Sequence, residues 1–319
     1  MRIAVLIPCY NEALTVGKVI SDFRRELPTA LVYVYDNNST DDTAVIAKNS
    51  GAIVKKEFRQ GKGYVVRQMF LDIDADCYVL VDGDDTYPAE AVHSLVQPII
   101  QNEIDMCIGD RLSNGTYTEE NKRLFHDFGN NLVRKTITFL FGQKINDVMT
   151  GYRTFSRMFV KSFPAMSDGF QIETEFTIHA LDKKFRFKEI PIDYRDRPSG
   201  SVSKLNTFTD GLKVLCTIFR MLRETRPIQY FGALSLIMFI LGILIGFPVI
   251  FEFLSKGIID KIPSAVLASG VMIFSLLLYI TGIILNAVVC SEKKAFELNL
   301  YRVYSDSFAN KEQKGQNRK

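Results

Sequence analysis

Two long apolar runs near the end of the chain set the tightest limit on how it can fold. Ile228 to Phe251 carries Gln229 near its start and no other strongly polar residue before Glu252. Ala265 to Cys290 is interrupted only by small polar residues and Asn286. A helix needs about 20 residues to cross the hydrocarbon layer of a bilayer, and both runs are long enough. Neither has a polar face, which sets them apart from helices that bury one side on a soluble core. Arg220, Arg223 and Arg226 precede the first run, and Lys293, Lys294 and Arg302 follow the second. The connecting loop holds Lys256 and Lys261, offset by Glu252 and Asp260. The positive-inside rule then puts both chain ends on the cytosolic side and the loop outside. The expectation is a two-span, multi-pass protein of the cell membrane with a cytosolic N-terminal domain.

The 319 residues leave room for one domain of ordinary size ahead of the spans. A net charge of +3 without a dense Lys/Arg cluster argues against nucleic acid as a partner. The five cysteines lack CxxC spacing and read as free thiols in a reducing compartment. Met1 to Pro8 is too short an apolar run for a signal peptide and reads as a first core strand.

Short apolar runs alternate with amphipathic stretches through the first half. Candidate strands are Ile3–Ile7, Leu31–Tyr35, Ile53–Lys55, Cys77–Val81 and Asp105–Ile108. Helical patterns lie at Ala13–Glu26, Asp41–Asn49, Tyr64–Ile73 and Ala89–Gln101, with Asp41-Asp42 as a capping sequence for the second. Such alternation predicts a doubly wound α/β fold with parallel strands, whose ligands sit at the strands' carboxyl ends. Further on come helical patterns at Asn121–Gly142 and Glu173–Lys183, a turn-rich piece at Asn146–Arg153, and a short strand at Arg186–Ile190. Pro191–Asn206 reads as a polar loop. Phe208–Leu222 has apolar residues at helical spacing and basic residues near its end, which fits a helix lying on the bilayer or one packed on a core. The boundaries read as a catalytic domain over 1–206, a juxtamembrane helix over 207–227, two spans within 228–291 and a tail over 292–319, polar and disordered at its end. The juxtamembrane helix and the spans also offer surfaces for self-association into a homo-oligomer.

The strongest chemical signal is Val79-Leu80-Val81-Asp82-Gly83-Asp84-Asp85, an apolar strand that runs into three carboxylates around a glycine. Carboxylates this close repel one another unless a cation sits among them, and hard ions such as Mg²⁺ or Mn²⁺ bridge carboxylates to substrate phosphates. A solvated acidic turn is the plainer alternative. Two other strand ends carry Pro8-Cys9-Tyr10-Asn11-Glu12 and Asp36-Asn37-Asn38-Ser39. An acid there can accept hydrogen bonds from a base or a ribose, although Asp-Asn-Ser clusters also form ordinary turns. Gly61-Lys62-Gly63 brings a lysine towards a phosphate without the Walker spacing. Arg111 follows a strand and has Asp110 and Asp147 as alternative ion-pair partners. Glu173 and Glu175 stand two apart at a helix start, where they need not share a face and where negative charge is favourable in any case.

In this order the motifs resemble family 2 glycosyltransferases with the GT-A fold. The resemblance is nearest to the dolichol-phosphate mannose synthase-like group, which includes bacterial polyprenyl-phosphate glycosyltransferases with a two-helix membrane hairpin. It covers roughly residues 2–206 and includes Gly109-Asp110-Arg111, Gly129-Asn130, Asp147 to Arg153, Phe170 to Glu175 and Arg197 to Lys204. The resemblance implies a Rossmann-like GT-A domain in which Pro8, Tyr10, Glu12 and Asp36 line the nucleoside pocket. It further implies Asp82 and Asp84 at a Mg²⁺ or Mn²⁺ ion and the donor phosphates, with Lys62, Arg197 and Ser203 also on the donor side. Arg111 and Arg123 would face an acceptor phosphate, and Lys204 would join Arg197 in closing over the diphosphate. Thr86 stands where several relatives carry a metal-holding glutamine. The spacing around Arg123 also departs from theirs.

The implied reaction is inverting transfer of a sugar from a nucleotide-sugar, UDP-linked by resemblance, to a polyprenyl phosphate such as undecaprenyl phosphate. Such a lipid-linked monosaccharide would serve cell-envelope glycosylation. A phosphate acceptor is already nucleophilic near neutral pH, so no strong general base is required. Two alternatives are transfer to a saccharide hydroxyl and a non-enzymatic, lipid-binding membrane subunit. The first would need a catalytic carboxylate, and the chain has neither a Gln-x-x-Arg-Trp run nor any tryptophan.

Overall fold

In the computed structural model the structure describes residues 1–114, 126–198, 207–258 and 260–316. Ile3–Cys9 forms β1, and both of its faces are covered, which is why it reads as a nearly unbroken apolar run. The chain continues through α1 (Val16–Glu26), β2 (Leu31–Asp36), α2 (Thr43–Asn49), β3 (Ile53–Lys56), α3 (Lys62–Asp72), β4 (Cys77–Leu80), α4 (Val92–Ile100) and β5 (Met106–Asp110). Then come α5 (His126–Phe141), β6 (Arg153–Ser156), α6 (Arg157–Ser162), α7 (Ile172–Asp182) and β7 (Phe187–Pro191). The described strands make one seven-stranded sheet in the order β3-β2-β1-β4-β6-β5-β7.

Strands β1 to β4 pair in parallel, and β5 pairs in parallel with β7. The exception is β6, which lies antiparallel between β4 and β5. A wholly parallel sheet is therefore not what forms. The turn-rich reading of Asn146–Arg153 hid a strand of four residues that opens on an arginine.

Period-2 alternation divides the core between the two faces of the sheet. On one face Val5, Ile7, Cys9, Val79 and Val81 meet Val16, Val19, Ile20 and Phe23 of α1 and Val92, Leu95, Val96 and Ile99 of α4. The helical residues recur at three and four positions, which builds one apolar stripe on each helix. On the other face Tyr78 is in register with Phe155. There Phe70, Phe155, Phe159, Phe163 and Phe176 form a layer of edge-on and stacked rings. At α2 the capping side chain is Asp41, whose Oδ1 accepts from the Thr43 amide at 3.1 Å, while Asp42 makes no capping bond.

The chain divides into two units, residues 1–218 with 299–319, and residues 219–298. A helix over Thr207–Thr225, here α8, covers the predicted juxtamembrane stretch and leaves Leu212 and Phe219 exposed. In the second unit α9 (Pro227–Lys256) begins with a proline, whose missing N–H costs nothing at a helix start. It ends at Gly257, whose positive φ of 71° lets its N–H cap Phe253 O at 2.8 Å. Its 30 residues span about 45 Å, enough to cross a membrane. The last helix, α10 (Ile262–Gln316), also has a stretch apolar and long enough to span. It runs on through the tail expected to lack structure, because extending a formed helix fixes one residue per hydrogen bond and needs no new nucleus.

Small residues set the contact between α9 and α10. A Cβ on Gly242 would lie 2.8 Å from Met272 Sδ, and one on Gly282 would lie 3.0 Å from Phe231 Cβ. Ser235 Oγ donates to Ser275 O at 2.8 Å and Ser275 Oγ donates to Ser235 O at 2.9 Å. Close backbone approach joined by hydroxyls is how helices associate where apolar surface gains nothing from leaving lipid.

Candidate active site

The strand order changes direction at β1, with β2 and β3 on one side and β4 on the other, and the crevice at such a point is where α/β sheets bind ligands. The predicted acidic motifs all meet there. After β4, Asp82 is partly exposed and Asp84 is buried at 5 % exposure. Gly83 between them has no room for a side chain: a Cβ would lie 2.7 Å from Cys9 Sγ. Its carbonyl accepts from Thr15 Oγ1 at 2.6 Å, which locks the turn against the start of α1.

Asp84 is held from two directions. Thr86 Oγ1 donates to Asp84 Oδ1 at 2.7 Å, and Arg197 Nη2 donates to Oδ2 at 2.5 Å. Burial and the neighbouring Asp82 push the Asp84 carboxyl above the usual range, and Arg197 opposes them. Arg197 also stands 3.9 Å from Glu12, so it draws the β1 and β4 motifs together. Thr86, 1 % exposed, spends its hydroxyl on Asp84 Oδ1 and so orients that carboxylate.

Asp82 has a different neighbourhood. Lys62 Nζ lies 2.5 Å from Asp82 Oδ1 and 2.6 Å from Glu173 Oε1. The lysine reaches this position because the loop ahead of α3 sits hard on another piece of backbone. Cβ atoms on Gly61 and Gly63 would lie 2.1 Å from Asp168 O and 1.9 Å from Ser167 O, and Gly61 has a φ of 141°. Asn37 at the end of β2 fixes the same loop, accepting from Gly61 N at 2.7 Å and donating to Arg59 O at 2.8 Å. Asp36 beside it is buried and accepts from Ser39 N at 3.3 Å. Pro8 is half-buried, and Tyr10 is exposed at the crevice end of β1.

The two glutamates of α7 part company, as their spacing predicts. Glu175 accepts from the backbone N–H groups of Met166 and Ser167 at 3.1 and 2.9 Å, a structural task. Glu173 faces Lys62, and sequence reasoning did not single it out as a site residue. Its signal was present only in the two-residue offset from Glu175. Gly151 is the other participant not foreseen individually: a Cβ there would lie 2.3 Å from Asp82 Oδ2. The segment carrying Gly151 wraps around Arg153, which is fully buried and donates to Thr150 O, Thr177 Oγ1 and Val148 O at 3.1, 3.0 and 2.6 Å. Burial lowers that guanidinium to about 10, so it stays charged at neutral pH.

Arg111 forms a two-pronged pair with Asp147, at 2.7 and 2.9 Å, and its guanidinium lies over the Tyr194 ring. Arg123, Ser203 and Lys204 lie outside the described residues.

Among the described residues no three His, Cys, Asp or Glu side chains converge into a cage for a metal. Mg²⁺ does not require one, since it is commonly bound by one or two carboxylates together with waters and substrate phosphates. Asp82 and Asp84 are the carboxylates that could supply such a donor set. Lys62 takes only one oxygen of Asp82, and the Asp84 charge is at present matched by an arginine from the loop after β7. The residues fit a divalent ion completed by a ligand.

Residues 4–163 match the model of glycosyl transferase family 2. The chain belongs to that family. Among its relatives, glycosyltransferase AglJ of Haloferax volcanii is 31 % identical over 291 residues, covering 90 % of this chain and 93 % of that one. The dolichyl-phosphate hexose transferase of the same organism is 29 % identical over 70 % of this chain and 95 % of its own. The dolichol-phosphate mannosyltransferase of Pyrococcus furiosus is 24 % identical over 82 % of this chain and 75 % of its own. Among solved structures, glucosyl-3-phosphoglycerate synthase from Mycobacterium tuberculosis, in complex with Mn²⁺, UDP and phosphoglyceric acid, superposes with a TM-score of 0.56 at 21 % identity. That match covers 69 % of this chain and 78 % of the other, and it shows that the glycosyltransferase has a GT-A-type sheet.

Proposed function

We propose that this glycosyltransferase moves a sugar from a UDP-sugar onto a polyprenyl phosphate, with inversion at the anomeric carbon. The observation that carries the reading is the pairing of Asp82 and Asp84 at one crevice with two helices long enough to span a membrane. The dolichyl-phosphate relatives support a lipid phosphate acceptor, and the UDP-bound synthase supports a uridine donor.

In this reading Glu12 and Asp36 accept hydrogen bonds from the nucleoside, with Pro8 and Tyr10 forming the pocket wall. Asp82 and Asp84 hold Mg²⁺ or Mn²⁺, which when bound neutralises charge on the leaving diphosphate. Arg197 exchanges Asp84 for the donor phosphates, and Lys62 adds fixed positive charge below them. Ser203 and Lys204 join the donor side, while Arg111 and Arg123 supply positive potential for the incoming phosphate. No residue needs to remove a proton, because the acceptor oxygen is already anionic. Positive charge fixed in advance near two phosphates, one arriving and one departing, is then the main source of rate.

The test is to incubate the full chain in nanodiscs with labelled nucleotide-sugars and undecaprenyl phosphate. A labelled lipid is expected from a UDP-sugar, dependent on divalent cation and lost in Asp84→Ala. A labelled saccharide, or full activity of Asp84→Ala with metal present, would overturn the proposal. The basic flanks of the spans further support cytosolic ends. An Asp260→Cys thiol should react with a membrane-impermeant maleimide on intact cells, whereas Cys216 should react only after permeabilisation. The opposite pattern would reverse the topology.

A further inference from the structure

The Lys62 ammonium is out of water, with its side chain 9 % exposed, and two carboxylates face it at nearly equal distance. One of them, Asp82, is the candidate cation ligand. The other, Glu173, is 3 % exposed, and its Oε2 has no hydrogen-bond partner. Burying a second carboxylate with half of its bonding capacity unused is costly. A lysine shared with Asp82 alone would have avoided that cost.

We infer that Glu173 is a positioning residue: it holds the Lys62 ammonium between two carboxylates, so that the lysine does not close on Asp82 alone and the Asp82 carboxylate stays available to a divalent cation. The electrostatics follow from counting charges. Lys62 matches the charge of Asp82 and Arg197 that of Asp84, so these four groups together carry no net negative charge for a cation to meet. Burial pushes the Glu173 carboxyl up and Lys62 opposes that push; ionised, Glu173 adds one negative charge beside Asp82 while Lys62 stays fixed between its partners. The geometry of α7 supports this division of labour. Glu175 secures the amides of Met166 and Ser167, and the carbonyls of Ser167 and Asp168 are where Gly61 and Gly63 rest. One helix start therefore holds both the backbone that carries Lys62 and the head group of Lys62. The inference rests on the proposed metal-assisted reaction and adds to it the residue that keeps the cation ligand available.

The experiment is Mn²⁺ titration followed by electron paramagnetic resonance, on the full chain in detergent, with UDP present and melting temperature recorded alongside. Glu173→Gln keeps the shape and removes the charge, and should weaken Mn²⁺ binding by about tenfold. Glu173→Asp restores the charge and should recover most of that loss. The double variant Glu173→Gln with Lys62→Met leaves Asp82 unneutralised and should bind Mn²⁺ more tightly than Glu173→Gln alone. If the double variant binds no better than the single one, Glu173 is only a structural support and the inference is overturned. Should Glu173→Gln fail to fold, Lys62→Met alone decides: tighter Mn²⁺ binding supports the inference, and unchanged or weaker binding overturns it. Failure of the wild-type chain to bind Mn²⁺ would remove the metal-assisted reading itself. Normal wild-type binding that Glu173→Gln leaves untouched would remove the inference alone.

Discussion

At the carboxyl ends of β1 and β4 buried charges such as Asp84 are gripped by more than one partner, whereas in the described part of the hairpin the hydroxyls of Ser235 and Ser275 meet between the helices. In the first region a removed group leaves another charged or polar group stranded in a dry place, and the cost is large. In the second, the helices are held by steric fit at Gly242 and Gly282, and a lost hydroxyl bond is a small term. The glycosyltransferase therefore keeps its precision in one unit and its address in the other. Substitutions in the two should differ by several kcal/mol.

Arg153→Met is the most severe way to break the strand-end region. It strands the carbonyls of Val148 and Thr150 and should cost about 3–5 kcal/mol, read as a fall in the denaturation midpoint of the catalytic unit. A loss under about 1 kcal/mol would mean that the buried guanidinium is not the strut described above. Next comes Gly151→Ala, whose new methyl would press on Asp82 while Lys62 holds that carboxylate from the other side. Transfer activity should fall about 100-fold with little change in melting temperature, since a displacement near 1 Å is enough to do this. Wild-type turnover would show that Asp82 is free to move.

A third effect depends on pH. His179 is enclosed by Phe159, Phe163 and Phe185, and burial lowers it to about 3. Its folded value lies below its unfolded one near 6.5, so the unfolded chain takes up the proton first. Stability is whole above pH 6.5 and is lost as the pH falls towards 3, by about 2 kcal/mol at pH 5. His179→Phe should flatten this acid limb in thermal melts, and an unchanged limb would assign it to carboxylates instead. Smallest of the four is Ser235→Ala combined with Ser275→Ala, expected to weaken the hairpin by about 1 kcal/mol. A larger loss would mean that the hairpin, too, depends on polar contacts.

The two regions also differed in how far they could be read from residues alone. Span length and flanking charge needed no tertiary information; five of the seven described strands followed from short apolar runs, and a sixth, β7, from the short strand expected at Arg186–Ile190. β6 did not, because its first residue is Arg153, and only the folded core reveals an arginine as an interior residue. At the site, Asp82, Asp84, Glu12 and Asp36 were legible from their places after strands. Lys62 was legible as a residue but not in its surroundings, since its partner Glu173 lies more than a hundred positions away. Thr86 looked like a poor substitute ligand and is a hydrogen-bond donor to Asp84. Arg111 forms the ion pair with Asp147 that its sequence position offered.

The contact between Gly83 and Cys9 has a further consequence, for covalent inhibition. Cys9 lies behind the turn that joins Asp82 to Asp84, 2 % exposed, and burial with four surrounding carboxylates raises its thiol well above the ordinary range. Almost no thiolate forms there at neutral pH, and the thiolate is the form that oxidants and alkylating agents attack. The sulfur nearest the acidic turn should thus be slow to react, as should the buried Cys77 and Cys107, while the exposed Cys216 and Cys290 are consumed first. An electrophile aimed at this crevice would need a target other than sulfur.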